Sequence, residues 1–239
     1  MKADLPTAQL RSLWKEAFGD TDAFLDSFFE TAFSPERCRY IAVDGCVAAA
    51  LYWFDCRCDG ARLAYIYAVA TAKIHRGKGL CRTLMEDTHT HLKAAGYAGS
   101  ILVPGEKELF AMYEKMGYAP FSGMDTLSCR AGTPVSIREI SPAEYAALRT
   151  QHLPHRGVEQ DGMEFLASYA KLYAGSDFIL AATEKTGLEL LGNRAATPGI
   201  LAALGKKEGS FRIPGSTPFA MYRPLTNFSA PGYFGIAFD

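Results

Sequence analysis

The feature that most constrains the fold is a glycine-rich junction between a strand pattern and a long helix pattern. Residues 61–69 have the apolar composition of a β-strand, and residues 80–95 carry apolar side chains at helical spacing. Gly77 and Gly79 lie in the link and can adopt backbone conformations that other residues avoid. A short apolar run at residues 100–103 predicts a second strand. This order predicts a crossover that places both strands parallel in one sheet.

The residues before this junction predict two helices followed by antiparallel strands. Residues 7–18 and 21–33 each carry apolar side chains at a period of about 3.6 residues. Residues 40–54 instead contain an Asp44-Gly45 turn between two apolar runs, which predicts a β-hairpin. With the strand before the glycine junction, the hairpin predicts a three-stranded antiparallel meander. The fold class expected from the sequence is therefore α/β (α+β), with a mixed sheet.

A change in composition at residues 131–134 predicts a domain boundary. The predicted N-terminal domain spans residues 1–130, and the predicted C-terminal domain spans residues 135–239. Ser141-Pro142 begins a capping-box helix in the second domain. The other segments predicted there are a strand at 135–140, an amphipathic segment at 163–173, a hairpin at 178–191 and a final strand at 233–238.

Two short sequence blocks occur twice in the same order. LVPG at 102–105 is followed by FAMY at 110–113, and RIPG at 212–215 is followed by FAMY at 219–222. Both pairs predict a short strand that runs into a helix, and their order favours an internal duplication. The second copy lacks a comparable glycine junction, since residues 194–200 contain one glycine and one proline. The C-terminal domain is therefore predicted to be a smaller, degenerate copy of the first.

The charge and composition of the chain argue against several functional classes. It has 25 basic and 26 acidic residues, so no net field draws it toward nucleic acid or an anionic membrane. No apolar run reaches the roughly 20 residues that span a bilayer, and the N-terminus lacks the pattern of a secretory signal. The six cysteines have neither C-x-x-C spacing nor other ligands nearby. We therefore expect a cytoplasmic protein with reduced thiols, no metal, and no nucleic-acid or membrane partner.

The glycine junction has the chemistry of a phosphate-binding loop. Gly77 and Gly79 let the backbone approach a ligand, and the start of the helix offers free N–H groups and a favourable dipole. Arg76, Lys78 and Arg82 add positive charge in the same turn. The sequence matches neither the P-loop nor the dinucleotide-binding fingerprint. Taken alone, a glycine-lysine loop of this kind is more often a solvated turn that binds nothing.

Two motifs resemble those of the GCN5-related N-acetyltransferases (GNAT). Val69-Ala70-Thr71 with RGKGLC at 76–81 is similar to the family's R/Q-x-x-G-x-G/A loop. LFAMYEKMGY at 109–118 is similar to its short helix that carries a tyrosine and ends in glycine and an aromatic residue. The resemblance covers roughly residues 1–130 and implies the GNAT fold. Cys81 departs from the pattern, which usually has glycine or alanine there, and can be read as a packing residue or as a reactive thiol.

The resemblance also implies a site for acetyl-CoA as co-substrate. Tyr113 matches the tyrosine that acts as general acid toward the departing thiolate, although an aromatic residue on a short helix is also typical of a core. The sequence identifies no general base. Glu106 and Glu108 could act through water but are interpreted as solvated loop residues, and His75 is expected near the phosphate or solvent and not near the amine. The implied cofactor-binding residues are Ala68, Val69 and Ala70 for the pantetheine arm, and Arg76, Gly77, Lys78, Gly79, Leu80 and Cys81 for the pyrophosphate.

The activity implied by the resemblance is N-acetyl transfer to a primary amine by direct attack in a ternary complex. The acceptor would be a small-molecule or peptide amine, and the degenerate GNAT-like C-terminal domain would wall the substrate cleft. Two alternatives stay open at this stage. The acyl group could be longer than acetyl, or the chain could be a regulatory or structural module that binds CoA without turnover.

Overall fold

The computed structural model describes residues 5–238, which form seven α-helices and eleven β-strands. The helices are α1 (Thr7–Phe18), α2 (Asp22–Thr31), α3 (Leu80–Ala94), α4 (Lys107–Glu114), α5 (Pro142–His152), α6 (Met163–Ala167) and α7 (Thr197–Ala203). The strands are β1 (Cys38–Val43), β2 (Cys46–Cys58), β3 (Ala61–Thr71), β4 (Gly99–Leu102), β5 (Ala119–Arg130), β6 (Arg138–Glu139), β7 (Glu159–Gln160), β8 (Lys171–Ala174), β9 (Phe178–Ala182), β10 (Gly187–Gly192) and β11 (Glu208–Pro224).

These strands form one mixed sheet in the order β1-β2-β3-β4-β11-β10-β9-β8-β6, with β5 paired to β11 and β7 paired to β2. Two neighbouring pairs are parallel, β3 with β4 and β10 with β11, and the remaining pairs are antiparallel. Each parallel pair is joined through a helix, α3 in the first case and α7 in the second. The predicted fold class, α/β with a mixed sheet, is confirmed.

Strands β5 and β11 connect the parts of the sheet that come from the two halves of the chain. The later part of β11 pairs with β4, where Met221 faces Leu102, and its earlier part pairs with β10, where Phe211 faces Gly187. β5 lies antiparallel to β11 over nearly its whole length. Sheet hydrogen bonding therefore continues across the predicted boundary at residues 131–134. The division into two domains stays a prediction.

The predicted elements of the N-terminal half agree with the structure. Gly19 ends α1 in a left-handed conformation with φ +74°, and the Thr21 side chain caps α2 by accepting from the Phe24 amide at 3.2 Å. The Asp44-Gly45 turn joins β1 to β2. Because local signals and apolar spacing agree here, the sequence locates these elements to within a few residues.

The amphipathic segment at 163–173 forms the short helix α6 and the first residues of β8. Three predictions in the C-terminal half were wrong. The strand predicted at 135–140 is reduced to two residues. The predicted strand at 233–238 makes only an isolated bridge, from Tyr233 to Gly157. The second FAMY block lies on β11 and not on a helix. Pairing with β4 and β5 supplies hydrogen bonds on both edges of this segment, so tertiary context overrides its local pattern.

Two apolar cores cover the two faces of the N-terminal sheet. One lies under α1, α2 and α6 and contains many aromatic rings, with Trp14 and Phe28 fully enclosed. The other lies under α3 and α4 and includes Leu84 and Leu92. A third core packs α7 against β9, β10 and β11. The β3–β4 pair therefore has a helical layer on each face.

Candidate functional site

The glycine loop presents an uncapped helix start to solvent. Gly77 and Gly79 have φ of +74° and +80°, which residues with side chains rarely adopt, and a Cβ on either would meet nothing within 4 Å. No side chain caps α3, and its first turn contains no acidic residue. The first amides of a 15-residue helix are therefore left to bind water or an anion.

The structure brings the predicted pyrophosphate residues together in this loop. Arg76 and Lys78 are exposed, and the Arg76 Nε donates to the Thr71 carbonyl at 3.1 Å, which ties the loop to the end of β3. Leu80 and Cys81 are half-buried at the start of α3. Backbone amides and positive charge therefore meet at one point of the surface.

The predicted pantetheine residues lie where β3 separates from β4. The two strands pair only from Leu63 to Tyr65, and β3 then continues to Thr71 without a partner on that side. A bulge interrupts its pairing with β2 at the same place, and Ala68 has a φ of +48°, which is uncommon for a residue with a side chain. The sequence did not predict the bulge, because no glycine marks it.

Tyr113 lies on α4, against the same face of the sheet as α3. It is 7% exposed and belongs to the apolar cluster that includes Ile66, Val69 and Cys81. Its ring centroid is 5.9 Å from that of Tyr118 in an edge-to-face contact. Burial raises the pKa of Tyr113, so the phenol stays protonated and can donate a hydrogen bond but not act as a base. Tyr113 and Val69, which lies on the unpaired stretch of β3, therefore belong to the same apolar cluster.

The surroundings of Cys81, Glu106 and Glu108 give none of these side chains an evident catalytic role. Burial raises the pKa of the Cys81 thiol, with Arg82 acting weakly against this, so the thiol stays protonated. This favours the packing interpretation over the reactive one. Glu106 and Glu108 are both exposed around the start of α4.

The C-terminal segment crosses the opposite face of the sheet, beneath the point where β3 and β4 separate. The Tyr67 hydroxyl donates to the Phe238 carbonyl at 2.6 Å. The Ser122 hydroxyl donates to the Phe234 carbonyl at 2.8 Å and accepts from the Phe234 amide at 2.9 Å. The segment therefore reaches from β5 to β3. The alternating aromatic residues at 233–238 were the only sequence signal for it, and they suggested a strand.

Within residues 5–238, no helix is long and apolar enough to cross a bilayer. No group of three or more His, Cys, Asp or Glu side chains there is placed to hold a metal ion.

Comparison with known families agrees with this geometry. Residues 6–121 match the family model described as an acetyltransferase (GNAT) domain. The N-terminal half of the chain belongs to the GNAT superfamily. The matched residues include the glycine loop, the β3–β4 pair and α4. No curated protein matches the chain significantly.

Solved structures with the GNAT fold resemble the chain over almost its whole length. A GCN5-related N-acetyltransferase from Kribbella flavida aligns with a TM-score of 0.69 at 18% identity, over 93% of this chain and 70% of that one. One from Anabaena variabilis aligns with a TM-score of 0.70 at 14% identity, over 94% and 71%. A tandem GNAT protein from the clavulanic acid biosynthesis pathway aligns with a TM-score of 0.58 at 13% identity, over 95% and 97%. At these identities the likeness concerns the fold.

Proposed function

We propose that the protein is an N-acetyltransferase that moves the acetyl group of acetyl-CoA to a primary amine. One observation carries this proposal: β3 loses its pairing with β4 after Tyr65, and Val69 on this free stretch shares one apolar cluster with Leu80 at the glycine loop and with Tyr113. A pyrophosphate at Gly77 and Gly79 would meet the amides of α3 and the positive charge of Arg76 and Lys78. The family match of residues 6–121 supports the same ligand.

The chain's own groups can do the chemistry that acyl transfer requires. Backbone groups of Ala68, Val69 and Ala70, turned by the bulge, would hold the pantetheine arm and polarise the thioester carbonyl. The amine would attack this carbonyl directly. Tyr113 would donate its hydroxyl proton or a hydrogen bond to the departing thiolate, and the protonated state that burial favours suits this role.

The acceptor would approach from the face that the C-terminal segment covers. Tyr67 and the backbone of residues 234–238 lie there beside the open end of the β3–β4 pair. The wall of this cleft would then come from the C-terminal half, as expected of a degenerate GNAT-like lobe that has lost its own glycine loop. A small-molecule or peptide amine is the acceptor class that we propose.

Binding of acetyl-CoA is the first test. A ligand at 100 times its dissociation constant adds about 2.7 kcal/mol to stability, which corresponds to a rise in melting temperature of roughly 5–10 °C for a chain of this size. We expect acetyl-CoA and CoA to produce this shift in thermal unfolding. If neither shifts the transition, the enzymatic proposal and the non-catalytic CoA-binding alternative both fall.

Substitution of Tyr113 by Phe separates turnover from binding. The ring and its contact with Tyr118 are kept, so we expect the dissociation constant for acetyl-CoA to change less than about twofold. Loss of the donor should lower kcat by about 10²-fold, measured as CoA thiol release with tyramine, putrescine and a tripeptide as acceptors.

Tyr222→Phe is the matched control for this substitution. The Tyr222 hydroxyl donates to the Phe228 carbonyl at 3.2 Å, and its ring lies over Gly99, where a Cβ would come within 2.3 Å of the ring. This control should keep the wild-type kcat. An unchanged kcat in Tyr113→Phe would remove Tyr113 from the mechanism, and acetyl-CoA binding without turnover on any acceptor would favour the non-catalytic module.

A further inference from the structure

A polar cluster between β11 and α4 connects the two halves of the chain at the proposed site. Arg223 lies on β11, opposite Ser100 of β4. One nitrogen of its guanidinium donates to the Met116 carbonyl at 2.8 Å and lies 2.9 Å from Nδ1 of His89. His89 is on α3, and Met116 follows the last turn of α4. A residue of the C-terminal half therefore contacts two helices of the GNAT domain.

Arg223 fixes the direction of the hydrogen bonds that His89 makes. A guanidinium only donates, so Nδ1 of His89 is the acceptor. Burial and the neighbouring Arg223 lower the pKa of His89 to about 3, so the ring is neutral and its proton lies on Nε2. Nε2 then donates to the Tyr118 hydroxyl at 2.8 Å, and a further hydrogen bond of 2.8 Å joins that hydroxyl to Ser100 Oγ.

The cluster holds the turn to which Tyr113 is attached. The amides of Met116 and Tyr118 both donate to the Tyr113 carbonyl, at 2.9 and 3.1 Å. Gly117 between them has φ +82°, and a Cβ there would lie 3.6 Å from Nε of Arg223. Arg223 thus lies across the turn and binds one of the carbonyls at the end of α4, where positive charge also complements the helix dipole.

We infer that Arg223 is a positioning residue for Tyr113, supplied to the GNAT domain by the C-terminal half through β11. This inference rests on the proposed function, because it assigns Tyr113 a role that depends on accurate placement. Arg223 is half-buried, so part of its charge is desolvated at a cost, and what the residue adds is a single orientation for the turn after α4. The C-terminal half then completes the catalytic site as well as covering it.

Arg223→Met and Arg223→Lys test this inference together. Methionine keeps much of the side-chain volume and removes both hydrogen bonds, so we expect kcat for CoA thiol release to fall about tenfold or more. The dissociation constant for acetyl-CoA should change less than about threefold, since the glycine loop is untouched. Lysine restores one donor and the charge, and should recover part of kcat. Amide hydrogen exchange of residues 107–118 should rise in Arg223→Met, while that of α5 stays at the wild-type rate.

Arg138→Met is the matched control, because Arg138 pairs with Glu144 on the outer surface of α5, away from α4. It should leave kcat and the exchange of residues 107–118 unchanged. A wild-type kcat in folded Arg223→Met, or equal losses in kcat and acetyl-CoA affinity, would overturn the inference. If Arg223→Met does not fold, Arg223→Lys carries the test, because a single ammonium cannot reproduce the geometry of the guanidinium. A lowered kcat with raised exchange of residues 107–118 would support the inference, and wild-type values of both would overturn it.

Failure of the proposed function would look different. The wild-type protein would then neither bind acetyl-CoA nor release CoA thiol. Hydrogen exchange would still report on the turn after α4, and unchanged exchange in Arg223→Met would show that Arg223 does not hold it.

Discussion

We expect Gly79→Asp to abolish acetyl-CoA binding and to leave the protein folded. The substitution places a carboxylate at the start of α3, where the uncapped amides would otherwise bind the pyrophosphate. The carboxylate occupies the anion site and repels the ligand, and we expect the dissociation constant to rise at least about 100-fold, measured by titration calorimetry. A Cβ at residue 79 meets nothing within 4 Å, so the side chain itself fits.

Gly79→Asn is the control for this substitution. Asparagine has almost the same shape as aspartate and tolerates the left-handed conformation that residue 79 adopts, at φ +80°. Any cost of backbone strain is therefore common to both variants, and the difference between them measures the charge. Equal affinity for acetyl-CoA in the two variants would mean that the helix start is not where the phosphates bind.

The contrast between the glycine loop and the bulge shows what the sequence could predict. Gly77 and Gly79 both adopt positive φ values. The sequence indicates this conformation because glycine is the residue that adopts it most readily. Ala68 has a positive φ as well, but an alanine carries no such signal. Its conformation arises from how β3 pairs with β2, which is a contact between residues far apart in sequence.

Long-range pairing also explains why the sequence predicts the C-terminal half less accurately. FAMY is helical at residues 110–113 and lies on a strand at residues 219–222, so four identical letters take two structures. The second copy lies between β4 and β5, whose hydrogen bonds decide its conformation. Arg223 could not be assigned a role before this pairing was known, because its partners on α3 and α4 are more than 100 residues away.

Breaking the buried ion pair between Arg149 and Glu189 should lower the free energy of unfolding more than any other single substitution proposed for this chain. Arg149 on α5 donates from Nε and from a terminal nitrogen to the two carboxylate oxygens of Glu189 on β10, at 2.7 and 2.9 Å. Their side chains are 3% and 0% exposed. The Tyr145 and Tyr233 hydroxyls also donate to this carboxylate, at 3.2 and 2.9 Å. Burial opposes the charge on Arg149, but Glu189 outweighs it and raises the Arg149 pKa.

Glu189→Gln removes the negative charge and leaves the guanidinium of Arg149 buried without compensation. We expect the free energy of unfolding, measured in urea, to fall by about 3–5 kcal/mol. Because Tyr233 begins the segment that crosses beneath β3, hydrogen exchange of residues 233–238 should rise in the same variant. Glu144→Gln, which breaks the exposed pair with Arg138, should change the unfolding curve little.

The double variant Arg149→Met/Glu189→Leu decides between two explanations of that loss. Apolar side chains of similar size bury no charge, so most of the lost stability should return if the uncompensated guanidinium was its cause. Exchange at residues 233–238 should stay high in the double variant, because leucine offers the Tyr233 hydroxyl no acceptor. If stability does not return, the four hydrogen bonds themselves hold α5, β10 and the C-terminal segment together. The network would then be a structural requirement for the wall of the proposed cleft.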